Sequence, residues 1–480
     1  MSEVAIEDLQ LEGEGSLQEQ LYRALQQRIV SGRLASGVRL PASRYLAASL
    51  GVSRNTVSVA LDQLKAEGYL DSRVGSGVFV SEQLPRRLEA TSEVVTVSER
   101  QLSHLSDYGS VLSQVPVEPG IKDMPFAPGV PDLKAFPMAV WSRVMRRHID
   151  RMALQSYDTD LGYEPLRQAL SDYLRSSRGV RCDADQIVIT QGAQQALSLC
   201  AQVLLNPGDE VLLEDPGYRG ARTAFEAGQC QLHPVQVTEN GINLEQLPVQ
   251  TDARLLYLTP THHYPLGGIL PVSERLRLLE WAQRTETWIL EDDYDSEFHF
   301  HGKPIAAMQG MAKQTPVIYM GSFSKTLFPA LRLGYLVVPK NLAPVFAQAK
   351  NAMSGESPQL TQATVAEFIE EGHFVRHLRK MRKLYLEKWQ HCLMLIDQHC
   401  DSRVQVVAQS AGMHLVVKID GIDDVELERR FSEQGFGCTP LSNYCLTNQW
   451  QGLVLGFSNT TEQQREEGIK KLANIIAAMP

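Results

Sequence analysis

From Met124 onward, short apolar runs alternate with longer stretches of helical periodicity. The runs, several of them rich in β-branched residues, are Gln186–Thr190, Glu210–Glu214, Leu255–Thr259, Thr287–Glu291, Val317–Tyr319 and Gly334–Val338. The helical stretches between and around them are 139–152, 163–176, 194–204 and 272–284. This alternation predicts an α/β domain with a buried, largely parallel sheet. After Pro358 we expect one long helix over 362–399 and a shorter α+β tail.

The length and composition of the chain allow several globular domains. Its 480 residues exceed a typical domain of ~100–200 residues, and 43% hydrophobic with 21% charged residues excludes a disordered or fibrous chain. The seven cysteines include no C-x-x-C pair, which predicts reduced thiols in a cytoplasmic protein. The N-terminus lacks the pattern of a signal peptide, and no run approaches the ~20 apolar residues of a membrane span.

Charge is distributed unevenly along the chain. Between Ser16 and Ser81 there are eight basic and four acidic residues, a net charge of +4, whereas the whole chain carries −10. The overall charge argues against a protein that binds nucleic acid along its entire length. A basic N-terminal segment on an acidic remainder instead indicates an anionic partner for that segment alone.

Apolar spacing in the basic segment predicts a helix over 16–31, followed by helices over 43–50 and 54–67 that Gly51 separates. Two apolar strands around Gly75-Ser76-Gly77 then form a hairpin. Two short helices joined by a glycine-containing turn are typical of a helix-turn-helix, and the hairpin would be its wing. A plain three-helix bundle with solvated arginines is the alternative, which the agreement of order, charge and wing disfavours.

The start of the third helix carries residue types that read DNA, namely Ser53, Arg54, Asn55 and Thr56. In a helix-turn-helix, these positions enter the major groove, where Arg bonds guanine, Asn bonds adenine, and Ser or Thr bonds bases or phosphate. Exposed backbone amides of the hairpin can approach phosphates or the minor groove. We therefore predict that double-stranded DNA binds this segment.

Residues 21–80 resemble the winged helix-turn-helix of the GntR family of bacterial regulators. The resemblance rests on "RIVSGRL", "LPASRYLAASLGVSRNTVSVALDQLKAEGYL" and "GSGVFV". It implies that Arg44, together with Ser53, Arg54 and Thr56, contacts DNA. It also implies that two glycines shape the wing, Gly75 and Gly77.

The strongest chemical signal is the segment "YMGSFSKTLFPALRLGY", which begins at Tyr319. A predicted strand ends in Ser322, Ser324 and Lys325, and Arg332 follows. A phosphorylated aldehyde cofactor needs this set, because a lysine forms a Schiff base while hydroxyls and a guanidinium hold the phosphate. A lysine in this context is not readily explained as an ordinary surface lysine.

Other predicted strand ends add to this signal. Residues 191–194 form a glycine-containing start of a helix, which favours an anion. Tyr218 can stack on a pyridine ring, although such a tyrosine is as often a core residue. In the acidic "EDDY", one buried Asp can keep a pyridine nitrogen protonated, and Tyr294 can donate to the ring oxygen. All these segments fall at strand C-terminal ends, where open α/β sheets bind ligands.

From residue 126 to the C-terminus, the chain resembles fold-type I pyridoxal-phosphate enzymes of the class I aminotransferase kind. The resemblance implies pyridoxal 5'-phosphate held by Lys325 as an internal aldimine. It implies that Asp292 binds the pyridine nitrogen, with the adjacent Asp293 as the alternative, that Tyr294 faces the ring oxygen and that Tyr218 stacks. The residues that would surround the phosphate are Gly192, Ala193, Gln194, Ser322, Ser324 and Arg332.

Tyr157, in "YDTDLGYEPLR", would reach the phosphate in the neighbouring subunit, which implies a homodimer. A GntR-type winged helix fused to such a domain resembles the MocR subfamily, whose best-known kind responds to GABA. The phrases "GVPDLKAFPMAVWSR" and "EDDYDSEF" carry this closer resemblance, which extends from Ser16 to the end.

The chain departs from class I aminotransferases at two positions. In "TPTHHYPLGG", Tyr264 occupies the place of the asparagine that bonds the ring oxygen, next to His262 and His263. Val454 occupies the place of the arginine that binds a substrate carboxylate, and valine cannot pair with a carboxylate. Both departures favour a regulator over an enzyme. We predict no metal site, because the histidines lack carboxylate or cysteine partners at metal-ligand spacing.

The sequence therefore predicts a multidomain protein with an N-terminal winged helix-turn-helix and an α/β fold-type I domain. The expected segments are an acidic tail (1–15), a DNA-binding domain (16–82), a linker (83–122) and a pyridoxal-phosphate domain (123–480). The predicted function is a cytoplasmic, homodimeric transcription regulator that senses an amine, an amino-acid-like ligand or pyridoxal phosphate through Lys325, with residual transamination possible. The alternatives are an active aminotransferase with an appended head, and a regulator whose body is an empty scaffold.

Overall fold

The computed structural model describes residues 9, 11, 15–73, 75–82, 105–106, 108–110, 123–157, 159–300, 305–311, 316–407, 411–447 and 450–479. The chain divides into two compact units, Met1–His104 and Leu105–Pro480. The acidic tail and the linker that the sequence predicts lie almost entirely outside the described residues. Among the helices that are described, none combines the length and the apolar character needed to cross a membrane.

Over its described residues, the first unit forms three helices followed by a hairpin. The elements are α1 (Leu17–Val30), α2 (Ser43–Leu50), α3 (Arg54–Ala66), β1 (Leu70–Arg73) and β2 (Gly77–Val80). The two strands pair antiparallel. This order of elements agrees with the one that apolar spacing predicted.

Side-chain caps define where the helices of the first unit begin. Ser16 and Glu19 form a capping box at α1, and the Ser53 hydroxyl accepts a hydrogen bond from the Thr56 amide at α3. Leucines and valines on one face of each helix form a separate buried core that includes Leu21, Leu25, Leu46, Val57, Leu61 and Leu64. The N-terminal end of α3 is thereby fixed while its outer face stays in solvent.

The second unit is built on an eight-stranded sheet in the order β3-β10-β9-β8-β7-β4-β5-β6. The strands are β3 (Ile187–Thr190), β4 (Glu210–Asp215), β5 (Gln231–Thr238), β6 (Gly241–Ile242), β7 (Leu255–Leu258), β8 (Trp288–Asp293), β9 (Val317–Ser322) and β10 (Gly334–Val337). The pairings among β5, β4, β7, β8 and β9 are parallel. Strand β10 is antiparallel to both neighbours, and β6 is antiparallel to β5.

Helices of the second unit flank this sheet and a smaller one. They are α4 (Met138–Arg146), α5 (Glu164–Ser177), α6 (Ala193–Leu204), α7 (Arg219–Ala227), α8 (Val272–Thr285), α9 (Phe323–Thr326), α10 (Ala343–Ser354), α11 (Gln359–Glu370), α12 (His373–His399), α13 (Asp424–Glu433) and α14 (Glu462–Ala477). The smaller antiparallel sheet has the order β11-β12-β14-β13, with β11 (Val404–Val406), β12 (His414–Ile419), β13 (Thr439–Pro440) and β14 (Gly452–Gly456).

The single long helix expected over 362–399 is wrong, because the structure has two helices there. Helix α11 ends at Glu370, and α12 begins at His373. Gly372 between them has φ 71°, a left-handed conformation that an α-helix cannot contain. Helical periodicity continues on both sides of this break, so the apolar pattern alone did not reveal it.

Candidate functional site

Lys325 lies in the short helix α9, directly after strand β9, at the edge of the sheet where parallel strands end. Its Nζ donates a hydrogen bond of 2.7 Å to the carbonyl oxygen of Gly129, a residue far away in sequence. A β-carbon on residue 129 would stand 2.4 Å from this Nζ. The backbone at Gly129 therefore approaches the amine as closely as a glycine allows.

Asp292, near the end of β8, lies close enough to Lys325 for the charge of the amine to act on it. Its Oδ2 accepts a 2.7 Å hydrogen bond from the Tyr257 hydroxyl. Burial raises the pKa of Asp292 to about 7, while the Tyr257 hydrogen bond and the positive charge of Lys325 oppose the rise. Asp292 is thus a buried carboxyl whose charge a nearby cation would restore.

Asp293, the alternative that the sequence left open, belongs to a different network. Its Oδ2 accepts from Arg178 Nε at 2.8 Å and from the Tyr319 hydroxyl at 2.6 Å. Successive residues of a strand point to opposite faces. This geometry favours Asp292 as the carboxyl beside Lys325 and gives Asp293 a role inside the fold.

We expect Arg178→Ala to lower the free energy of unfolding by about 3–5 kcal/mol, because it leaves the Asp293 carboxylate buried and unpaired. Both side chains are only 2% exposed in the wild-type protein. Denaturant unfolding followed by circular dichroism measures the loss. Lys340→Ala is the matched control, since it breaks the exposed Lys340–Asp185 pair and should change stability little. Equal losses of stability in the two variants would contradict the stabilising role of the buried Arg178–Asp293 pair.

Hydrogen-bond donors form a cluster, the cradle, where β3 turns into α6. Gly192 has φ 89° at the cap of this helix, and the first amides of a helix have no intrahelical partners. The Arg332 guanidinium carbon lies 3.8 Å from where a β-carbon on residue 192 would stand. Ser322 caps α9 by accepting from the Ser324 amide at 3.2 Å. Helix amides, a guanidinium and hydroxyls are donors suited to a phosphate dianion.

Three other predicted cofactor residues lie at the starts of α6 and α7. Tyr218 follows β4 and is the residue before α7, and its ring lies over Gly220. Burial raises the pKa of Tyr218 to about 12, the charge of Asp292 adds to the rise, and the charge of Arg332 opposes it. Gln194 Nε2 donates to the Gly220 carbonyl at 3.1 Å, so its side chain ties the starts of α6 and α7 together. Ala193 is the first residue of α6.

Tyr294 directly follows β8 and contacts the loop that carries His262 and His263. Its hydroxyl lies 2.9 Å from Nδ1 of His262, and the same Nδ1 lies 2.8 Å from Asp295 Oδ1. His263 points elsewhere, with Nε2 3.1 Å from the Pro216 carbonyl oxygen. The structure therefore brings His262, but not the side chain of His263, against Tyr294.

At the two positions that depart from the aminotransferase pattern, the side chains contact other residues of the fold. The Tyr264 hydroxyl is 3.0 Å from that of Tyr444. Val454 is fully buried in β14 and packs in an apolar cluster with Leu266 and Val416. An arginine side chain at position 454 would have to displace this cluster.

The remaining predicted residues lie at exposed positions or at the start of α3. Tyr157 is 89% exposed in the single chain. Arg44, Arg54 and Asn55 are exposed, whereas the hydroxyls of Ser53 and Thr56 lie 2.8 Å from each other. The last two side chains therefore serve the start of the helix, and the first three are open to a ligand.

The wing has the geometry that its two glycines predicted. Gly75 and Gly77 are exposed, with φ values of 74° and 111°. A β-carbon on residue 77 would stand 2.9 Å from Nε of Arg39. The backbone of Arg39 forms an isolated β-bridge with Phe79 in β2. Arg39 is therefore a basic residue at the wing, which the sequence analysis did not single out. Tyr45, an exposed residue next to Arg44 in α2, was also not among the residues predicted to contact DNA.

Sequence analysis also missed three groups in the second unit. Gly129 opens the phrase "GVPDLKAFPMAVWSR", but that resemblance gave it no role, and it meets Lys325 only through the fold. Tyr257 lies in the middle of an apolar strand, where a tyrosine is typical of the core. Asp295 could have been found, because it continues the acidic "EDDYD" that already drew attention.

Comparison with known proteins assigns both units to families. Residues 17–80 match bacterial regulatory proteins of the gntR family, and residues 122–472 match aminotransferase class I and II. The chain is 38% identical to the probable rhizopine catabolism regulatory protein MocR of Rhizobium meliloti, over 96% of this chain and 94% of that one. It is 32% identical to the HTH-type transcriptional regulator TauR of Rhodobacter capsulatus, over 88% of each chain.

Solved structures match the second unit. The crystal structure of the α-aminoadipate aminotransferase LysN from Thermus thermophilus superposes with a TM-score of 0.71 at 27% identity. The match covers 79% of this chain and 98% of that one. This likeness and the family matches confirm the predicted fold class.

A DNA-binding winged helix joined to an aminotransferase-like domain defines a class of transcription regulators. The chain belongs to the MocR-like regulators of the GntR family, as its sequence predicted.

Proposed function

We propose that this regulator holds pyridoxal phosphate through Lys325 and changes its binding to an operator when an amine, or the cofactor itself, occupies the site. The observation that carries the proposal is the convergence of Lys325, buried Asp292 and the cradle at Gly192 and Arg332 along one edge of the sheet. When bound, pyridoxal phosphate supplies an aldehyde that condenses with amines and a ring that withdraws electrons.

The donor set of the site fits this cofactor. The amides at Gly192, Ala193 and Gln194, with the hydroxyls of Ser322 and Ser324 and the Arg332 guanidinium, would bind the phosphate. Tyr218 would cover the ring, Tyr294 would donate to its phenolic oxygen, and Asp292 would accept from its nitrogen.

The protonation of Asp292 supports its part in the proposal. Burial raises its pKa to about 7 even with Lys325 nearby. A protonated pyridine nitrogen is a further cation, and an opposite charge lowers a carboxyl pKa. Asp292 would then stay ionised at neutral pH and keep the nitrogen protonated.

The effector would be an amine without the usual carboxylate anchor. Val454 is buried among apolar residues, Arg222 pairs with Glu226 at 2.8 Å, and Arg403 pairs with Asp401 at 2.9 Å. Arg219 is exposed at the start of α7 and contributes to the electrostatics of Tyr444. Of these three arginines, Arg219 is the one without a carboxylate partner within the described part of the chain.

The proposal includes a cytoplasmic homodimer in which Tyr157 of each subunit reaches the cofactor phosphate of the other. The 89% exposure of Tyr157 supports a role outside its own subunit. Arg44, Arg54, Asn55 and the wing would contact the operator, with Ser53 and Thr56 fixing the start of α3.

The test combines a spectral screen with DNA titration of the full-length protein. Protein loaded with pyridoxal phosphate is mixed with a panel of amines, and amines that change the visible absorbance are then added to an operator titration. We expect at least one of them to change operator affinity, and we expect Lys325→Ala to remove both responses. Identical DNA affinity with and without cofactor and amine would contradict the sensing function.

A second candidate function is a working aminotransferase, which the presence of Lys325, Asp292 and Tyr294 in one site favours. Val454 and Tyr264 count against it, because the carboxylate and ring-oxygen partners of that enzyme class are missing. Steady-state turnover of an amino donor with a keto-acid acceptor would support this candidate, whereas a single half-reaction would not.

A further inference from the structure

A buried histidine–aspartate pair lies against Tyr294. His262 is 3% exposed and Asp295 is 1% exposed. Nδ1 of His262 is 2.8 Å from Asp295 Oδ1 and 2.9 Å from the Tyr294 hydroxyl oxygen. The rings of His262 and Tyr294 are inclined by 26°, with centroids 5.8 Å apart. One ring nitrogen thus faces two oxygens at hydrogen-bonding distance.

Counting protons at Nδ1 determines which way the Tyr294 hydroxyl points. A carboxylate can only accept, so the bond to Asp295 requires a hydrogen on Nδ1. A ring nitrogen that carries a hydrogen cannot accept another one. The Tyr294 oxygen must therefore share the hydrogen of Nδ1 as an acceptor, and its own proton is left for a different partner.

We propose that His262, held by Asp295, is a positioning residue that directs the Tyr294 hydroxyl proton to the ring oxygen of bound pyridoxal phosphate. This inference rests on the proposed function and assigns a role to two residues outside the cofactor contacts. Accepting a hydrogen bond also makes the tyrosine a stronger donor, because hydrogen bonds in a chain polarise one another. The pair compensates in part for the asparagine that Tyr264 replaces.

The surrounding backbone is shaped to admit this pair. Gly412 has φ 92°, and a β-carbon there would stand 2.3 Å from Cε1 of His262 and 2.8 Å from Asp295 Oδ2. Nε2 of His262 and Oδ2 of Asp295 are buried and have no hydrogen-bond partner among the described residues. Unpaired buried polar atoms are destabilising, so the pair has a cost that a purely structural role does not explain.

The other titratable groups around the pair either keep one protonation state over the measured pH range or are present unchanged in every variant compared. Burial lowers the pKa of His414 to about 4 and that of His263 to about 3, so both are neutral above pH 5. Burial raises the pKa of Glu214 to about 8 and that of Asp292 to about 7. Burial also holds the Tyr264 hydroxyl protonated by raising its pKa. Lys325 is a further charged neighbour, whose positive charge acts on His414.

The test is the pH midpoint of the visible absorbance change in the full-length protein loaded with pyridoxal phosphate. A donated proton stabilises the ionised ring oxygen, so losing it raises the midpoint. We expect Tyr294→Phe to raise the midpoint most, and His262→Phe to raise it by about half to one pH unit, the size of one modest hydrogen bond. His262→Asn should retain the wild-type value, because its amide nitrogen can replace Nδ1 as the donor.

The double variant separates positioning from a general structural effect. If His262 acts through Tyr294, His262→Phe combined with Tyr294→Phe should match Tyr294→Phe alone. A wild-type midpoint in His262→Phe, or shifts that simply add, would overturn the inference. Should His262→Phe fail to fold, His262→Leu makes the same donor-free comparison. Absence of the Lys325-dependent band from the wild-type protein would instead overturn the proposed function itself.

Discussion

Lys325→Ala is expected to abolish covalent capture of pyridoxal phosphate. In the wild-type protein, borohydride reduction should fix the cofactor to the peptide that contains Lys325, and mass spectrometry should locate it there. The variant should carry no adduct and show no protein-bound visible band. The physical reason is that the Lys325 amine lies beside Asp292 and the Gly129 carbonyl, where the site places it for an aldehyde.

Lys340→Ala is the matched control for this experiment. Lys340 is an exposed lysine that pairs with Asp185, and its removal changes the net charge by the same amount. The control should retain the adduct and the band. An adduct that persists in Lys325→Ala would show that another amine captures the aldehyde, and the sensing proposal would fail with it.

Arg54→Ala is expected to remove specific operator binding while leaving the cofactor spectrum unchanged. Arg54 is the exposed first residue of α3, next to the Ser53 cap. An arginine that bonds a guanine edge contributes about 1–3 kcal/mol of discrimination, or roughly five- to 150-fold in affinity. Gel shifts with operator and with unrelated DNA measure the affinity and the specificity together.

Lys65→Ala separates base contact from general loss of charge. Lys65 is in the last turn of the same helix and pairs with Asp62 at 2.9 Å. It should leave specificity intact, because the C-terminal end of a recognition helix lies away from the bases. Unchanged operator affinity in Arg54→Ala would mean that a different surface of the head reads the DNA.

Much of the sheet was predictable because its strands are buried on both faces. Continuous apolar runs identified β3, β4, β7, β8, β9 and β10 to within a few residues. Strand β5 was missed, since Gln231–Thr238 carries exposed polar residues and Pro234 in an edge region of the sheet. The antiparallel direction of β10 also leaves no trace in the sequence, because its apolar run looks like those of its parallel neighbours.

The site was predictable where chemistry and strand ends coincide. Lys325, Asp292 and Tyr294 each follow or end an apolar run, and the C-terminal ends of parallel strands share one edge. Gly129 and Tyr257 were missed because a backbone carbonyl and a strand tyrosine carry no local signal. The choice between Asp292 and Asp293 depends on which face of β8 each occupies, and that depends on the partners Tyr257 and Arg178.

The hydrogen bond from Lys325 to Gly129 links the site to the path of the chain. The stretch around residue 129 is tied to the smaller sheet by the bridge between Phe126 and Gly456 and to α12 by the Lys388–Asp132 pair. An amine that bonds an aldehyde carbon has fewer hydrogens to donate, so under the proposed function capture of the aldehyde would weaken one anchor of this stretch. In the proposed function, a bond formed at Lys325 Nζ would therefore loosen the contact between the site and the first residues of the aminotransferase-like domain.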